Sequence, residues 1–262
     1  MLPEALYTLE INGNKIFEIH MYGVLVAIGI FAAFFSIFVY CKKLRIPDGF
    51  VDFIFYNGVA SILFGFFSAA LFQSVYNFIE NPERGFHLGG GITFIGGLIG
   101  GALFFLLIYF LFRRRLKNTL SSVISVIPCA ILVAHGFGRV GCFFAGCCYG
   151  TETDSFLGVQ FPHLAHPVYP TQLYEAIFLF LMFALCSYLL LRHHTRHNMS
   201  LYLFSYGIFR FLLEFMRGDA RGEFVALLSP SQFWSVLMVA AAFLVWFLEK
   251  RYVPAVKSAA EE

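Results

Sequence analysis

Seven apolar runs, each near the length that crosses a lipid bilayer, limit the fold of this chain more than any other feature. They cover approximately residues 20–41, 52–78, 93–112, 121–141, 171–192, 199–216 and 231–249. A transmembrane helix needs about 20 mostly apolar residues, and unbroken runs of this length are not typical of soluble amphipathic helices. The sequence therefore predicts an all-α, polytopic membrane protein with seven transmembrane helices.

The low content of charge supports the same prediction. Only 13% of the 262 residues are charged and 59% are hydrophobic, whereas a soluble domain carries about 25% charged residues. The basic residues follow the apolar runs and do not gather into a patch that would bind nucleic acid. No repeat or linker interrupts the chain, so we expect one membrane-embedded domain over residues 1–262, surrounded by the lipid bilayer.

Clusters of Lys and Arg predict the direction in which the chain crosses the membrane. They follow alternate apolar runs, at residues 41–45, 113–117, 192–196 and 250–251. With seven spans, all four clusters lie on one side. Cytoplasmic loops carry an excess of Lys and Arg, so we expect the N-terminus outside and the C-terminus in the cytoplasm.

Three stretches place glycine or charge at membrane depth, where an ionisable group is costly and indicates function. The first, residues 89–100, contains Gly96, Gly97 and Gly100. Glycines at this density let a backbone approach a lipid headgroup closely. The same spacing of small residues also packs two helices together, and the residues alone favour packing.

The second stretch, residues 135–150, places Arg139 among glycines that include Gly138. A guanidinium group can hold a phosphate by two parallel hydrogen bonds. The alternative is an arginine that anchors the helix end at the membrane surface.

The third stretch, residues 206–217, begins with Tyr206 and carries three charged residues on one helical face. Arg210, Glu214 and Arg217 are spaced i, i+4 and i+7, which aligns them on a helix. An ion pair between Arg210 and Glu214 is one interpretation. Arg217 then leaves this face with net positive charge, which favours a phosphate ligand.

These stretches and two further motifs resemble the prolipoprotein diacylglyceryl transferase family from about Tyr22 to Gln232. The matching motifs are His20-Met21-Tyr22-Gly23, Gly96-Gly97-Leu98-Ile99-Gly100, Gly138-Arg139-Val140-Gly141, Tyr169-Pro170-Thr171-Gln172-Leu173-Tyr174-Glu175 and the spacing of Arg210, Glu214 and Arg217. The resemblance implies an enzyme of lipoprotein biosynthesis in the bacterial cytoplasmic membrane, with its site toward the outer face. Such enzymes move a diacylglyceryl group from phosphatidylglycerol to the thiol of a cysteine near a preprotein's N-terminus. No cofactor is expected.

The resemblance also implies roles for individual residues. Arg139 and Arg210 would stabilise the charge that develops on the leaving phosphate, and Tyr22 would hydrogen-bond the headgroup. The substrate-binding positions would be Gly96, Gly97, Gly100, Gly138, Tyr206, Glu214 and Arg217.

Departures from the family pattern leave the activation of the acceptor thiol open. Ile95 stands where the family has a histidine, and Cys142 and Cys147 replace an asparagine and a glutamate. His135, one helical turn before the arginine, is the nearest candidate for a catalytic base, and His166 is another. Alternatively, the two arginines themselves lower the pKa of the acceptor thiol, and no dedicated base is needed.

Three cysteines, Cys142, Cys147 and Cys148, lie in the second stretch. Their spacing is not typical of a zinc site, so the sequence predicts no metal. A disulfide from Cys142 to either neighbour, a thiol nucleophile that carries a lipid, and simple packing remain open. Two alternatives to the transferase remain as well. One is a relative that uses the same lipid with another acceptor or a cysteine-based mechanism, and the other is a redox or non-catalytic membrane protein.

Overall fold

Seven α helices make up most of the described chain. The computed structural model describes residues 6–11, 14–88, 91, 93–116, 120–217 and 228–253. A short antiparallel hairpin, β1 (Tyr7–Ile11) and β2 (Asn14–Ile19), precedes the helices. The helices are α1 (Met21–Lys43), α2 (Asp48–Glu80), α3 (Phe94–Phe112), α4 (Ile127–Phe144), α5 (Thr171–Arg192), α6 (Asn198–Leu213) and α7 (Pro230–Tyr252).

The helical membrane architecture agrees with the prediction in its main features. Six helices are long and apolar enough to cross a membrane, while the described apolar part of α3, Gly96–Phe112, is shorter. The β hairpin was not predicted. The fourth apolar run becomes helical only at Ile127, later than predicted, because a 3₁₀ turn at Leu120–Ser122 precedes it. Pro128 lies in the first turn of α4, where its missing N–H group costs no hydrogen bond.

Large apolar side chains cover the outside of the helices. Phe31, Leu63, Leu111, Leu181 and Phe243 each expose between 63% and 70% of their surface. Soluble monomers rarely expose extensive apolar patches. This exposure agrees with helices whose outer faces contact lipid.

The chain forms two compact units. The smaller unit, residues 45–119, is the helical hairpin of α2 and α3. Within it, Asn57 Nδ2 donates to Phe105 O at 3.1 Å, and Ser68 Oγ donates to Gly96 O at 2.9 Å. The larger unit, residues 1–44 and 120–262, holds the β hairpin together with α1 and α4–α7.

A buried asparagine at the start of α6 joins three helices of the larger unit. Asn198 is fully buried, and its Nδ2 donates to Ser125 O and to Cys186 O, both at 3.0 Å. Since Ser125 precedes α4 and Cys186 lies in α5, one amide group ties α6 to both neighbours. Phe178 and Phe209 add a stacked pair between α5 and α6, with 4.0 Å between ring centroids.

Replacing Asn198 by alanine is expected to lower the stability of the larger unit. The change removes two buried hydrogen bonds, and each buried polar group that loses its partner costs about 1–3 kcal/mol. The temperature at which detergent-solubilised protein loses its monodisperse gel-filtration peak should therefore fall by several degrees. Asn81, which is exposed, provides the control: Asn198→Ala should be clearly less stable than Asn81→Ala, and equal stability would contradict the prediction.

Candidate active site

A buried carboxylate lies at the centre of the polar cluster in the larger unit. Glu175, near the start of α5, is 1% exposed. Arg139 Nε lies 3.1 Å from its Oε2, His135 Nε2 lies 3.5 Å from its Oε1, and Tyr206 donates its hydroxyl hydrogen to Oε1 at 2.7 Å. His135 and Arg139 share one face of α4 because they are four residues apart. Helices α4, α5 and α6 thus each contribute to the cluster.

His135 contacts both members of the Arg139–Glu175 pair through one ring nitrogen. Arg139 Nε donates to His135 Nε2 at 3.3 Å, and an arginine side chain stays protonated in proteins. The same His135 Nε2 also lies 3.5 Å from Glu175 Oε1. The Tyr206 ring packs edge-on against the imidazole, with 5.3 Å between centroids. His135 Nε2 is therefore already engaged by Arg139 and Glu175.

A second ion pair lies where the end of α6 meets the start of α7. Arg210 Nη2 is 2.7 Å from Glu214 Oε2 and donates to Ser231 Oγ at 3.0 Å. Ser229 Oγ donates to Glu214 Oε1 at 2.9 Å and accepts from Gln232 N at 3.2 Å. Ser229 thus caps α7 in a capping box and binds the carboxylate with the same oxygen. The start of α7 therefore holds Glu214 and Arg210 together.

Arg139 is connected through Glu175 and Tyr206 to the helix that carries Arg210. Arg139 pairs with Glu175, which accepts from Tyr206. Tyr206 lies one turn before Arg210 on α6. Arg210 is 8% exposed, and its Nη1 is buried with no hydrogen-bond partner in the part of the chain that the structure describes. A buried donor without a partner costs about 1–3 kcal/mol, so this N–H group is suited to an oxygen atom of a ligand.

The three cysteines of the second stretch converge in a turn at the end of α4. The Sγ atoms of Cys142, Cys147 and Cys148 all lie within 4.8 Å of one another. Gly146 (φ +67°) and Cys148 (φ +65°) adopt the left-handed backbone conformation. This conformation allows the chain to turn sharply, but it is unfavourable for a residue with a Cβ. All six cysteines of the chain are free thiols in the structure.

Two buried side chains from the start of α5 hold the backbone of this turn. Gln172 Nε2 donates to Cys147 O at 3.1 Å, and Thr171 Oγ1 donates to Cys148 O at 2.9 Å. The backbone N–H group of Cys147 donates to Cys142 O at 3.1 Å. Cys147 is exposed, while Cys142 and Cys148 are half-buried. The backbone is therefore fixed and the thiols stay accessible.

The surroundings of Cys148 favour its thiolate form. Hydrogen bonds from Cys142 and Cys147 have the largest effect; burial opposes them, and the positive charges of Arg139 and Arg217 act in the same direction as the hydrogen bonds. Together they lower the pKa of the Cys148 thiol well below its usual range.

The other site residues predicted in the larger unit lie in different surroundings. Tyr22 packs on the helix that carries Arg139, since a Cβ built at Gly141 would lie 3.1 Å from Tyr22 Cδ2. Gly138 faces open space: a Cβ there would meet no described atom within 4 Å. His166 is exposed between α4 and α5.

The glycines of the first stretch lie in the smaller unit, where they pack α3 against α2. A Cβ at Gly96 would lie 2.6 Å from the Phe72 side chain, and one at Gly100 would overlap Ser68. Close helix packing, the interpretation that the residues alone favour, therefore accounts for their size. The side chain of Ile95 lies outside the described part of the chain.

Sequence reasoning did not select Glu175, Gln172, Ser229 or Ser231 as site residues. Glu175 and Gln172 belong to the motif at residues 169–175, and a carboxylate that enters an apolar run was the available signal. Ser229 stands three residues before a glutamine, which is the signature of a capping box. Nothing in that signature indicates a contact with α6.

A family model and several known proteins are similar to most of this chain. The family model described as prolipoprotein diacylglyceryl transferase matches residues 9–248. A phosphatidylglycerol–prolipoprotein diacylglyceryl transferase of Clostridium tetani is 35% identical over 251 residues, which cover 92% of this chain and 96% of the relative. A phosphatidylglycerol–prolipoprotein diacylglyceryl transferase 2 of Clostridium perfringens is 34% identical over 254 residues, which cover 92% of this chain and 94% of the relative. A phosphatidylglycerol–prolipoprotein diacylglyceryl transferase of Francisella tularensis is 32% identical over 209 residues, which cover 76% of each chain. The chain therefore belongs to the prolipoprotein diacylglyceryl transferase family.

Proposed function

We propose that this protein transfers a diacylglyceryl group from phosphatidylglycerol to the thiol of a cysteine near the N-terminus of a prolipoprotein. The observation that carries the proposal is the pair of oriented arginines, Arg139 held by Glu175 and Arg210 held by Glu214. Two guanidinium groups at fixed positions suit a phosphodiester ligand. The family match over nearly the whole chain supports the same substrates.

The reaction replaces a carbon–oxygen bond by a carbon–sulfur bond. The acceptor thiol loses its proton, its sulfur lone pair attacks the glycerol carbon that carries the phosphate, and the electrons of the broken bond leave with glycerol phosphate. Negative charge grows on the leaving phosphate. Arg139 and Arg210 stabilise this charge, because donors that are already oriented need no reorganisation while it develops.

The remaining residues bind the lipid or position the arginines. Tyr22 offers its hydroxyl group to the headgroup, and Gly138 leaves open surface beside Arg139 for the lipid. His135 holds Arg139 in place, because its Nε2 accepts from the guanidinium group. Arg217, which follows the 3₁₀ turn after α6, adds positive charge.

We also propose that the chain crosses the membrane seven times, with the N-terminus outside and the site toward the outer face. In the larger unit, Tyr40 donates to Ser187 Oγ at 2.7 Å and Arg196 Nη1 donates to Val253 O at 3.5 Å. These contacts bring the C-terminal ends of α1, α5 and α7 together, and those ends carry basic residues. Glu175 lies at the opposite end of α5. The positive-inside rule supports a cytoplasmic position for the basic ends, and hence an outer position for the site.

Reconstitution tests the proposed reaction. Purified protein in vesicles of phosphatidylglycerol, given a prolipoprotein N-terminal peptide, should form a diacylglyceryl-modified peptide that mass spectrometry detects, and should release glycerol phosphate. Vesicles of phosphatidylethanolamine and a peptide with serine at the acceptor position are the controls. In cells, expression should restore growth to a strain depleted of its own transferase. Failure of both assays despite good membrane expression would contradict the proposal.

A large side chain at Gly138 is expected to block the lipid without harming the fold. Since a Cβ at this position meets no atom of the described chain within 4 Å, Gly138→Leu should fold normally but lose about tenfold or more in transfer rate, the effect of losing about 1.4 kcal/mol of binding or positioning. Gly49→Leu is the matched control, because Gly49 is equally open in its helix. Equal rates for the two variants would exclude a lipid at this surface.

A further inference from the structure

We propose that the thiols of Cys142, Cys147 and Cys148 bind a zinc ion, and that the acceptor cysteine of the prolipoprotein occupies the fourth coordination position. The inference rests on the proposed transferase function and deepens it. It assigns the step that the sequence left open, the activation of the acceptor thiol.

The distances between the three sulfur atoms fit one metal ion. All lie within 4.8 Å of one another. A tetrahedral zinc ion with Zn–S bonds of about 2.3 Å needs sulfur atoms about 3.8 Å apart. Small changes in side-chain rotamers therefore suffice to close the site. Thiolate ligands also favour zinc over the hard cations magnesium and calcium.

The turn that carries the thiols is built to keep them converged. Gln172 and Thr171, each 1% exposed, donate to the carbonyl groups of Cys147 and Cys148. These bonds hold the backbone on the α5 side, and Cys148 adopts the left-handed conformation within the turn. A first coordination shell whose backbone is held by buried partners is the arrangement that a metal site requires.

The site offers three ligands and leaves the fourth position open. No further histidine, cysteine, aspartate or glutamate of the described residues belongs to this group. Structural zinc sites are closed by four protein ligands, whereas catalytic sites have three and keep one position for water or substrate. Cys147 is exposed, so a peptide thiol has access from the protein surface.

The position of the thiols relative to the arginine fits thiol alkylation. Cys142 follows Arg139 by three residues on α4, so both side chains share one helical face. His135 is poorly placed to take the proton, because its Nε2 already contacts both Arg139 and Glu175. Coordination to a zinc ion deprotonates a thiol outright, which provides the thiolate without a dedicated base.

The step balances without an oxidant or reductant. The acceptor S–H group binds zinc and releases its proton to water. Its sulfur lone pair forms the S–C bond to the glycerol carbon, and the C–O electron pair leaves with glycerol phosphate, which Arg139 and Arg210 stabilise. Zinc stays divalent throughout, because it has no redox chemistry in proteins. The thioether product is uncharged and binds the metal weakly, so it leaves the fourth position.

Metal analysis of the full-length protein tests the site directly. Protein purified in detergent, stripped with a chelator and reloaded with zinc should hold one zinc ion per chain by inductively coupled plasma mass spectrometry. Cys147→Ser and the triple change of Cys142, Cys147 and Cys148 to serine should lose it, and Cys41→Ala, a buried cysteine outside the turn, should keep it. No bound zinc, a preference for copper(I), or a disulfide among the three cysteines would overturn the proposal.

A second measurement tests the place of the acceptor. Cobalt(II) bound at the site should show sulfur-to-cobalt charge-transfer absorption, which should increase when a prolipoprotein peptide with cysteine is added and stay constant with the serine peptide. A serine triple variant that folds, lacks zinc and still transfers lipid at the wild-type rate would overturn the proposal but keep the transferase function. If zinc binds at these cysteines but no lipid is transferred, the transferase function and the binding of the acceptor thiol to zinc are contradicted. The zinc site itself would still stand.

Discussion

Replacement of Arg139 by alanine is expected to lower the rate of diacylglyceryl transfer about 100- to 1,000-fold, the usual effect of removing one oriented donor that stabilises developing charge. The loss should fall mainly on kcat, because the phosphate carries more negative charge in the transition state than in bound phosphatidylglycerol. The measurement is the initial rate of peptide modification in phosphatidylglycerol vesicles, at equal amounts of reconstituted protein.

Two further variants separate the guanidinium group from charge alone. Arg139→Lys keeps the charge but loses the planar fork, so its rate should lie between those of wild type and alanine. Arg114→Ala changes an exposed arginine of the smaller unit and should retain the wild-type rate. An Arg139→Ala enzyme with more than half of the wild-type rate would exclude Arg139 from the proposed phosphate site.

Replacement of Glu175 by alanine is expected to destabilise the larger unit by about 3 kcal/mol or more and to abolish activity. Breaking a buried ion pair costs about 3–5 kcal/mol because a charge is left without its partner. Here the change leaves the guanidinium group of Arg139 without its carboxylate and removes the acceptor of the Tyr206 hydroxyl. The transition temperature in detergent should fall by more than that of Asn198→Ala.

Glu175→Gln distinguishes the role of charge from that of packing. The amide oxygen still accepts from Tyr206 and the side-chain volume is kept. The loss of stability should therefore be smaller than in the alanine variant. Activity should still drop strongly, because Arg139 is no longer held by a charge. If the glutamine variant transfers lipid at the wild-type rate, the carboxylate does not position Arg139 for catalysis.

The helices were predictable because their signal is local and strong. An apolar run such as 171–192 coincides with α5 residue for residue, since in lipid both length and hydrophobicity of a helix are set by the bilayer. The start of α4 was not predictable to that accuracy, because residues 121–126 are apolar enough for a span yet form turns. The β hairpin was missed because two short strands have no strong signal of their own.

The candidate site also has a part that the sequence predicts and a part that it does not. Arg139 and Arg210 could be selected as candidate site residues because a charge in an apolar segment is conspicuous. The partner of Arg139 could not be predicted. Glu175 is more than thirty positions from Arg139 in sequence, and only the packing of α4 on α5 brings them into contact. The convergence of the three thiols depends on the left-handed backbone at Cys148, which the spacing of cysteines does not encode.

At Cys148 the demands of folding and of chemistry oppose each other. A backbone φ of +65° costs a residue with a Cβ about 1–2 kcal/mol, and glycine adopts it almost freely. Selection for stability alone would therefore favour glycine at this position, as it is found two residues earlier at Gly146. A cysteine at this position provides a sulfur atom, but it makes the protein less stable than a glycine would. Arg45 and His194 share this backbone conformation outside the site, but at Cys148 the strain falls on a residue whose sulfur atom is a proposed metal ligand.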